Sequence, residues 1–256
     1  MATMGRPRTF DREKAVEEAM HIFWQHGYES ASLSQLKAGI GNGISAPSFY
    51  AAFGSKEALF QECAQRYLST YAQVTECLWD TSLPPRDAIE TALRRSVKMQ
   101  YERGHPRGCM VALGAMSAPS DEHAAVTEPL AKSRARTRAG FVACVQRGVD
   151  SGELRADTEP RALAAVFDGF LLGVSTLARD GVRHAVIEQA IPQAMSAWDA
   201  ASAKHVRRPG APAHGRGPAA PPSRTAWPGS RRPRPRCPRP SRSSRRAPTG
   251  DRKSVV

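Results

Sequence analysis

The chain has 256 residues, 41% of them hydrophobic and 24% charged, with a formal net charge of +13. The thirteen arginines and Lys253 of residues 207–256, opposed by Asp251 alone, account for that charge, so the preceding body is neutral and presents no global field to a polyanion. Cys63, Cys77, Cys109, Cys144 and Cys237 form no C-x-x-C pair and no zinc spacing with histidine, and no apolar run reaches the roughly 18 residues that span a bilayer; a cytoplasmic protein with reduced thiols, without metal, cofactor or membrane, is expected.

Phe10 to Gly27 sets Val16, Ala19, Met20 and Phe23 at helical spacing, opened by Asp11 and closed by Gly27, which predicts an amphipathic helix. After Tyr28-Glu29-Ser30, the stretch Ser32 to Ile40 begins at a hydroxyl cap and places Leu33, Leu36 and Ile40 on one side. Gly41-Asn42-Gly43 is a turn. Ser45 then caps a third short helix, Pro47 is tolerated in its first turn, and Gly54 stops it before Ser55 caps the next. Phe49 and Phe53, one turn apart, anchor this helix against its neighbours. Its other face is left to Ala46, Ser48, Tyr50 and Ala51, small and hydroxylic enough for close approach to a polyanion, and Tyr50 and Lys56 can each donate to a phosphate oxygen. Three short helices in this order, with a glycine-containing turn between the second and third, describe a helix-turn-helix whose third helix enters the major groove.

The residues Phe23-x-x-x-Gly27-Tyr28, Leu33-x-x-Leu36 and Pro47-Ser48-Phe49-Tyr50-x-x-Phe53-x-x-Lys56-Glu57-x-Leu59 resemble the N-terminal signature of the TetR family of bacterial transcriptional regulators. The resemblance covers about the first 65 residues by motif and the remainder by helix layout. It implies an all-α protein with a helix-turn-helix DNA-binding domain over residues 1–54 and a helical effector-binding and dimerisation domain over residues 55–206. It also implies a repressor that binds a palindromic operator in double-stranded DNA as a homodimer and leaves it when a small-molecule effector binds. The DNA contacts are then expected from Arg6, Arg8, Ser32, Lys37, Ser45, Ala46, Pro47, Ser48, Tyr50 and Lys56. The turn before the third helix is about two residues longer than the family's usual one, so Asn42-Gly43 reads as an insertion.

From Ser55 the pattern predicts one helix to about Trp79, with Leu59, Phe60, Cys63, Tyr67 and Leu68 inward, broken at Leu83-Pro84-Pro85. Further helices are expected at Pro85 to Glu102, Cys109 to Met116, Asp121 to Ser151, Pro160 to Arg179 and Val182 to Ala201, the last kinked at Pro192. Met99, Tyr101, Cys109, Met110, Met116, Phe141 and Phe167 supply the soft and aromatic walls expected of an effector pocket, although the same residues at helical spacing also describe plain core. The stripes Leu163, Phe167, Phe170, Leu171, Val174 and Ile187, Ile191, Met195 taken alone read as core; the resemblance implies that they pair with a second subunit in a four-helix bundle.

Cys109 follows Gly108 at the start of a helix and beside Arg107, so it is either a reactive thiol, which would make a redox-sensing repressor, or a small buried hydrophobe. No carboxylate pair, nucleophile motif or phosphate loop points to an enzyme, and His21 and His26 read as surface or capping residues. Residues 207–256, dominated by Pro, Arg, Ser, Gly and Ala, are expected to be disordered, either as a basic arm for phosphates or as a frameshift product.

Overall fold

The computed structural model describes residues 11–116 and 123–204, apart from the side chains of residues 115 and 116. Arg6, Arg8, Cys237 and the basic tail lie outside the described residues. Within them the chain forms nine α-helices and one 3-10 segment, and no strand, only an isolated antiparallel bridge between Leu154 and Ser202.

Helix α1 (Arg12–Ser30) starts where the Asp11 carboxylate accepts from the Lys14 amide. It does not end at Gly27: that residue, at φ 77°, interrupts the helix, and Tyr28 beyond it turns into the core. Helix α2 (Leu33–Gly39) opens with a reciprocal capping box between Ser32 and Gln35. The turn after it carries Gly41, Asn42 and Gly43 at φ 59°, 65° and 102°, three left-handed residues in succession. They are pinned rather than loose, because the Gly41 amide donates to Glu18 of α1 and the Ile44 amide returns to the Lys37 carbonyl. Helix α3 (Ala46–Phe53) is capped by Ser45 and stopped by Gly54 at φ 75°.

Helix α4 (Lys56–Ser69) is shorter than its apolar pattern predicts. The Ser69 and Thr70 hydroxyls both donate to the Arg66 carbonyl, at 3.0 and 2.7 Å, competing with the helical ladder, and the chain continues as a 3-10 segment, Tyr71–Trp79. Then follow α5 (Pro85–Tyr101), α6 (Met110–Met116), α7 (Ala124–Asp150), α8 (Pro160–Arg179) and α9 (His184–Ala201), which runs on through Pro192.

Two apolar clusters organise these helices. The first gathers α1 to α4 around Val16, Met20, Phe23, Trp24, Phe49 and Phe60, and takes Met99, Met110, Val126 and Leu130 from later helices. The second joins α5, α7, α8 and α9 around Leu93, Phe141, Phe167, Ile191 and Trp198. Each fully buried side chain of this kind contributes about 1.5–3 kcal/mol. Against the expectation of no bilayer-length apolar run, α8 has the length and mean hydropathy, 1.4, of a membrane-crossing helix. Its inner face nevertheless packs within the protein and carries Asp168, held by Arg138 at 2.8 Å.

Candidate nucleic-acid interface and effector cavity

Helix α3 is seated by Phe49 and Phe53, both buried, and its capping serines hold each other, Ser45 Oγ to Ser48 Oγ at 2.9 Å. Ser45, Pro47, Ser48, Tyr50 and Ala51 are exposed and Ala46 is half-buried, so one face of the helix is unencumbered. Tyr50 is 50% exposed, its ring edge-on to Phe49. On α2, Ser32 is exposed but engaged in its capping box, and Lys37 is half-buried. Lys56 is turned back on α1: its Nζ lies 4.4 Å from the centre of the Tyr28 ring and 3.5 Å from the Glu29 carbonyl oxygen. Partial burial lowers the Lys56 pKa, with the Glu29 carboxylate opposing.

Two ion pairs clamp α1 to α4, Arg12 to both carboxylate oxygens of Glu62 and Arg66 to Glu13. A second set of contacts, which the sequence reading did not name, fastens α1 to the rest of the protein near Gly27. Arg179, at the end of α8, donates to the carbonyls of Trp24, Gln25 and Arg107 at 2.5, 2.9 and 2.9 Å. The Trp24 indole donates to the Gly108 carbonyl at 3.1 Å, and His105 stacks on its ring. The helical spacing showed Arg179 only as a terminal basic residue; nothing local announces a partner about 150 residues away. His21, expected as a surface or capping residue, is half-buried beside Trp24, its Nε2 buried without a partner among the described residues, and burial lowers its pKa.

A cavity of about 50 Å³ lies among the 3-10 segment, α5, α6, α7 and α8. Of the residues expected there, Met99 and Cys109 line it, together with Leu171 from the expected interface set. Its polar lining, which includes Ser96, Gln100, Arg134, Thr137, Asp168 and Ser175, was not singled out in the sequence; the signal was the pair Ser96 and Gln100, one turn apart within an apolar stripe. Ser175 Oγ donates to Gln100 Oε1 at 2.8 Å, whereas Ser96 Oγ, 2% exposed, has no partner among the described residues. Cys109 Sγ accepts from the Tyr67 hydroxyl at 3.3 Å, which in turn accepts from the Met110 amide. Burial pushes the Cys63 and Cys77 thiols up and that of Cys144 up to about 11, whereas Cys109 is partly exposed.

The other expected pocket residues lie elsewhere. Phe141 and Phe167 are fully buried in the second cluster, where they pack on each other, because their positions on α7 and α8 point into the helix bundle. Met110 belongs to the first cluster, and Tyr101 fixes its hydroxyl on the Val182 carbonyl at the edge of a separate cleft. The Met116 side chain is outside the described residues. The interface set divides likewise. Phe167, Val174, Ile187, Ile191 and Met195 are all within 2% of complete burial inside one subunit and leave no surface for a partner. Leu163 and Phe170 are partly exposed. The apolar outer face of this pair of helices is carried instead by Val166 and Leu177 of α8 and Val186 of α9, 46%, 40% and 46% exposed. At Gly169 and Gly173 an added Cβ would meet nothing within 4 Å.

Residues 15–63 match the family described as bacterial regulatory proteins, tetR family, and residues 85–192 match the tetracyclin repressor-like C-terminal domain. The HTH-type transcriptional repressor ComR of Escherichia coli K12 is 28% identical over 197 residues, 76% of this chain and 91% of ComR. The repressor BdcR of the same organism is 33% identical over 110 residues, 43% of this chain and 55% of BdcR. Among solved structures, a cysteine-substituted form of the regulator CifR in complex with a 26-base-pair double-strand operator is 36% identical, with a TM-score of 0.66, covering 75% of this chain and all of CifR.

Proposed function

The chain belongs to the TetR family of bacterial transcriptional regulators, and from that premise we propose that it is a homodimeric repressor that reads an operator palindrome with α2 and α3 and is released by a small molecule. The observation that carries the reading is the division of α3: two phenylalanines fix it, Pro47, Ser48, Tyr50 and Ala51 are left exposed to a groove, and Ala46, one turn before Phe49, is half-buried at the edge. One helix of eight residues reads few bases, and a two-fold pair reads two half-sites. The exposed Val166 and Leu177, with the partly exposed Phe170 beside them, support pairing through α8 and α9. Residues 1–54 serve as the DNA-reading part and 55–206 as the sensing and pairing part, with Arg6 and Arg8 preceding α1 as phosphate or minor-groove contacts.

The proposed effector site is the cavity bounded by Met99, Cys109 and Ser96, whose hydroxyl has no partner among the described residues and favours a ligand with a hydrogen-bonding atom; at about 50 Å³ the cavity must widen to admit a small molecule, which ties binding to a shift of its helices. A ligand releases DNA only if it prefers the conformation in which the two recognition helices are wrongly spaced. Footprinting of the promoter region with full-length protein tests the reading: two-fold protection is expected, weakened by Tyr50→Ala on every sequence and altered in base preference by Ser48→Ala. Undiminished affinity of Tyr50→Ala at physiological salt would refute the docking. Peroxide-sensitive binding abolished by Cys109→Ser would replace the ligand by thiol oxidation.

A further inference from the structure

An open cleft of about 730 Å³ lies where the end of α5, the turn after it and the turn between α8 and α9 meet. Lys98, Arg103, Arg107 and Arg183 line it, and among the described residues none of the four has an ion-pair partner. Elsewhere in the helical body several arginines are paired, Arg86 and Arg94 sharing Glu90, Arg136 holding Glu76 and Arg138 holding Asp168, while Arg134, Arg147 and Arg179 donate to backbone carbonyls instead. In the cleft, Glu102 is the one acidic residue of the lining. Cations gathered in a concavity repel one another, and the low-dielectric walls focus their field outward, so the cleft gains from any anion that fits.

The floor is organised as well as charged. The Tyr101 hydroxyl is fixed on the Val182 carbonyl at 2.7 Å, the His184 ring lies 5.1 Å from the Tyr101 ring, and the Arg107 guanidinium stands 5.8 Å from that ring's centre. At the mouth, Gly104 and Gly181 have φ 103° and 81°, and an added Cβ at either would meet nothing within 4 Å. The volume is that of a small-ligand site, for which roughly 300–1,000 Å³ is usual. Its concave shape, walled by two turns, suits a small molecule better than the convex ridge of a duplex.

We propose that this cleft binds a small anion bearing two or more phosphate groups, at a site separate from the effector cavity. Arg103, Arg107 and Arg183 offer paired N–H donors to phosphate oxygens, Lys98 adds a point charge, and Tyr101 supplies a flat surface. The site stands on its own geometry and does not depend on the operator reading. It is also tied to the DNA-reading helices, because the turn that carries Arg103 and Arg107 receives hydrogen bonds from Trp24 of α1 and from Arg179.

The test uses the full chain and inorganic pyrophosphate at physiological salt. Hydrogen-exchange mass spectrometry is expected to show protection at residues 98–107 and 181–184. In the double variant Arg103→Ser, Arg183→Ser, calorimetry is expected to show affinity reduced about tenfold or more, the loss of two charge-assisted contacts. Both positions are exposed, and Lys98→Gln with Arg103→Gln provides a second variant should the first unfold. No binding by the wild type, or protection confined to α1–α3 or to the tail, overturns the proposal. So does a double variant that retains pyrophosphate affinity but loosens operator binding with a shallower salt slope, which would assign the cations to DNA phosphates.

Discussion

Ser45 and Lys56, both proposed to meet DNA, already serve the fold. Ser45 accepts the Ser48 amide at 3.2 Å, so Ser45→Ala is expected to destabilise the protein by about 1 kcal/mol in urea titration, the usual worth of an N-cap, and to weaken operator binding by loosening α3. Lys56 sits over the Tyr28 ring. Lys56→Ala should therefore cost about 0.5–1 kcal/mol of stability through the lost cation–π contact in addition to any lost phosphate contact, and urea titration without DNA separates the two. His21 sets a pH dependence. Burial, with His105 reinforcing and Glu17 and Glu18 opposing, lowers its folded pKa below the ordinary value near 6.5. The unfolded chain then binds the proton more readily, so the contribution is present above pH about 6.5 and is lost as the pH falls from there through the lowered pKa. His21→Gln is expected to flatten the acid side of the stability profile.

Among the elements, the junction at the end of α1 carries the most consequence for signalling. One guanidinium, Arg179, bonds two carbonyls of α1 and one of the turn before α6. Arg179→Ala would leave these acceptors without their donor, at about 1–3 kcal/mol, and amide exchange in the second half of α1 should quicken while α3 stays protected. The limits of sequence reading have the same origin. Caps at Asp11, Ser32, Ser45 and Ser55 and the stops at Gly54 and Arg179 depend on neighbours within a turn, and they were legible. The break at Thr70 was not, because apolar periodicity continues through it while the Ser69 and Thr70 hydroxyls redirect the backbone. Pocket and interface residues were legible only in part. Periodicity says that Phe141, Phe167 and Ile191 are covered; whether by their own subunit, a ligand or a partner depends on contacts distant in sequence.

At the scale of the whole molecule, Phe170 on the outer side of α8 offers the cleanest test of assembly. Phe170→Glu is expected to turn a dimer into monomers in sedimentation, since a carboxylate facing its symmetry mate in an apolar contact costs several kcal/mol by desolvation and repulsion; a mutant that stays dimeric would place Phe170 outside the interface. Removing residues 207–256 should leave folding and operator preference intact while lowering affinity for scrambled DNA, most at low salt, as mobility-shift titrations on the two DNAs would show. The reach of the first apolar cluster matters to anyone who would recombine such regulators. Phe60 and Tyr67 of α4, with Met99, Met110, Val126 and Leu130 from beyond it, share one interior with the helices proposed to face DNA. A chimaera spliced at the end of α3 would cut through that interior, so an exchanged head that keeps its fold must bring α4 and the matching faces of α5, α6 and α7 with it.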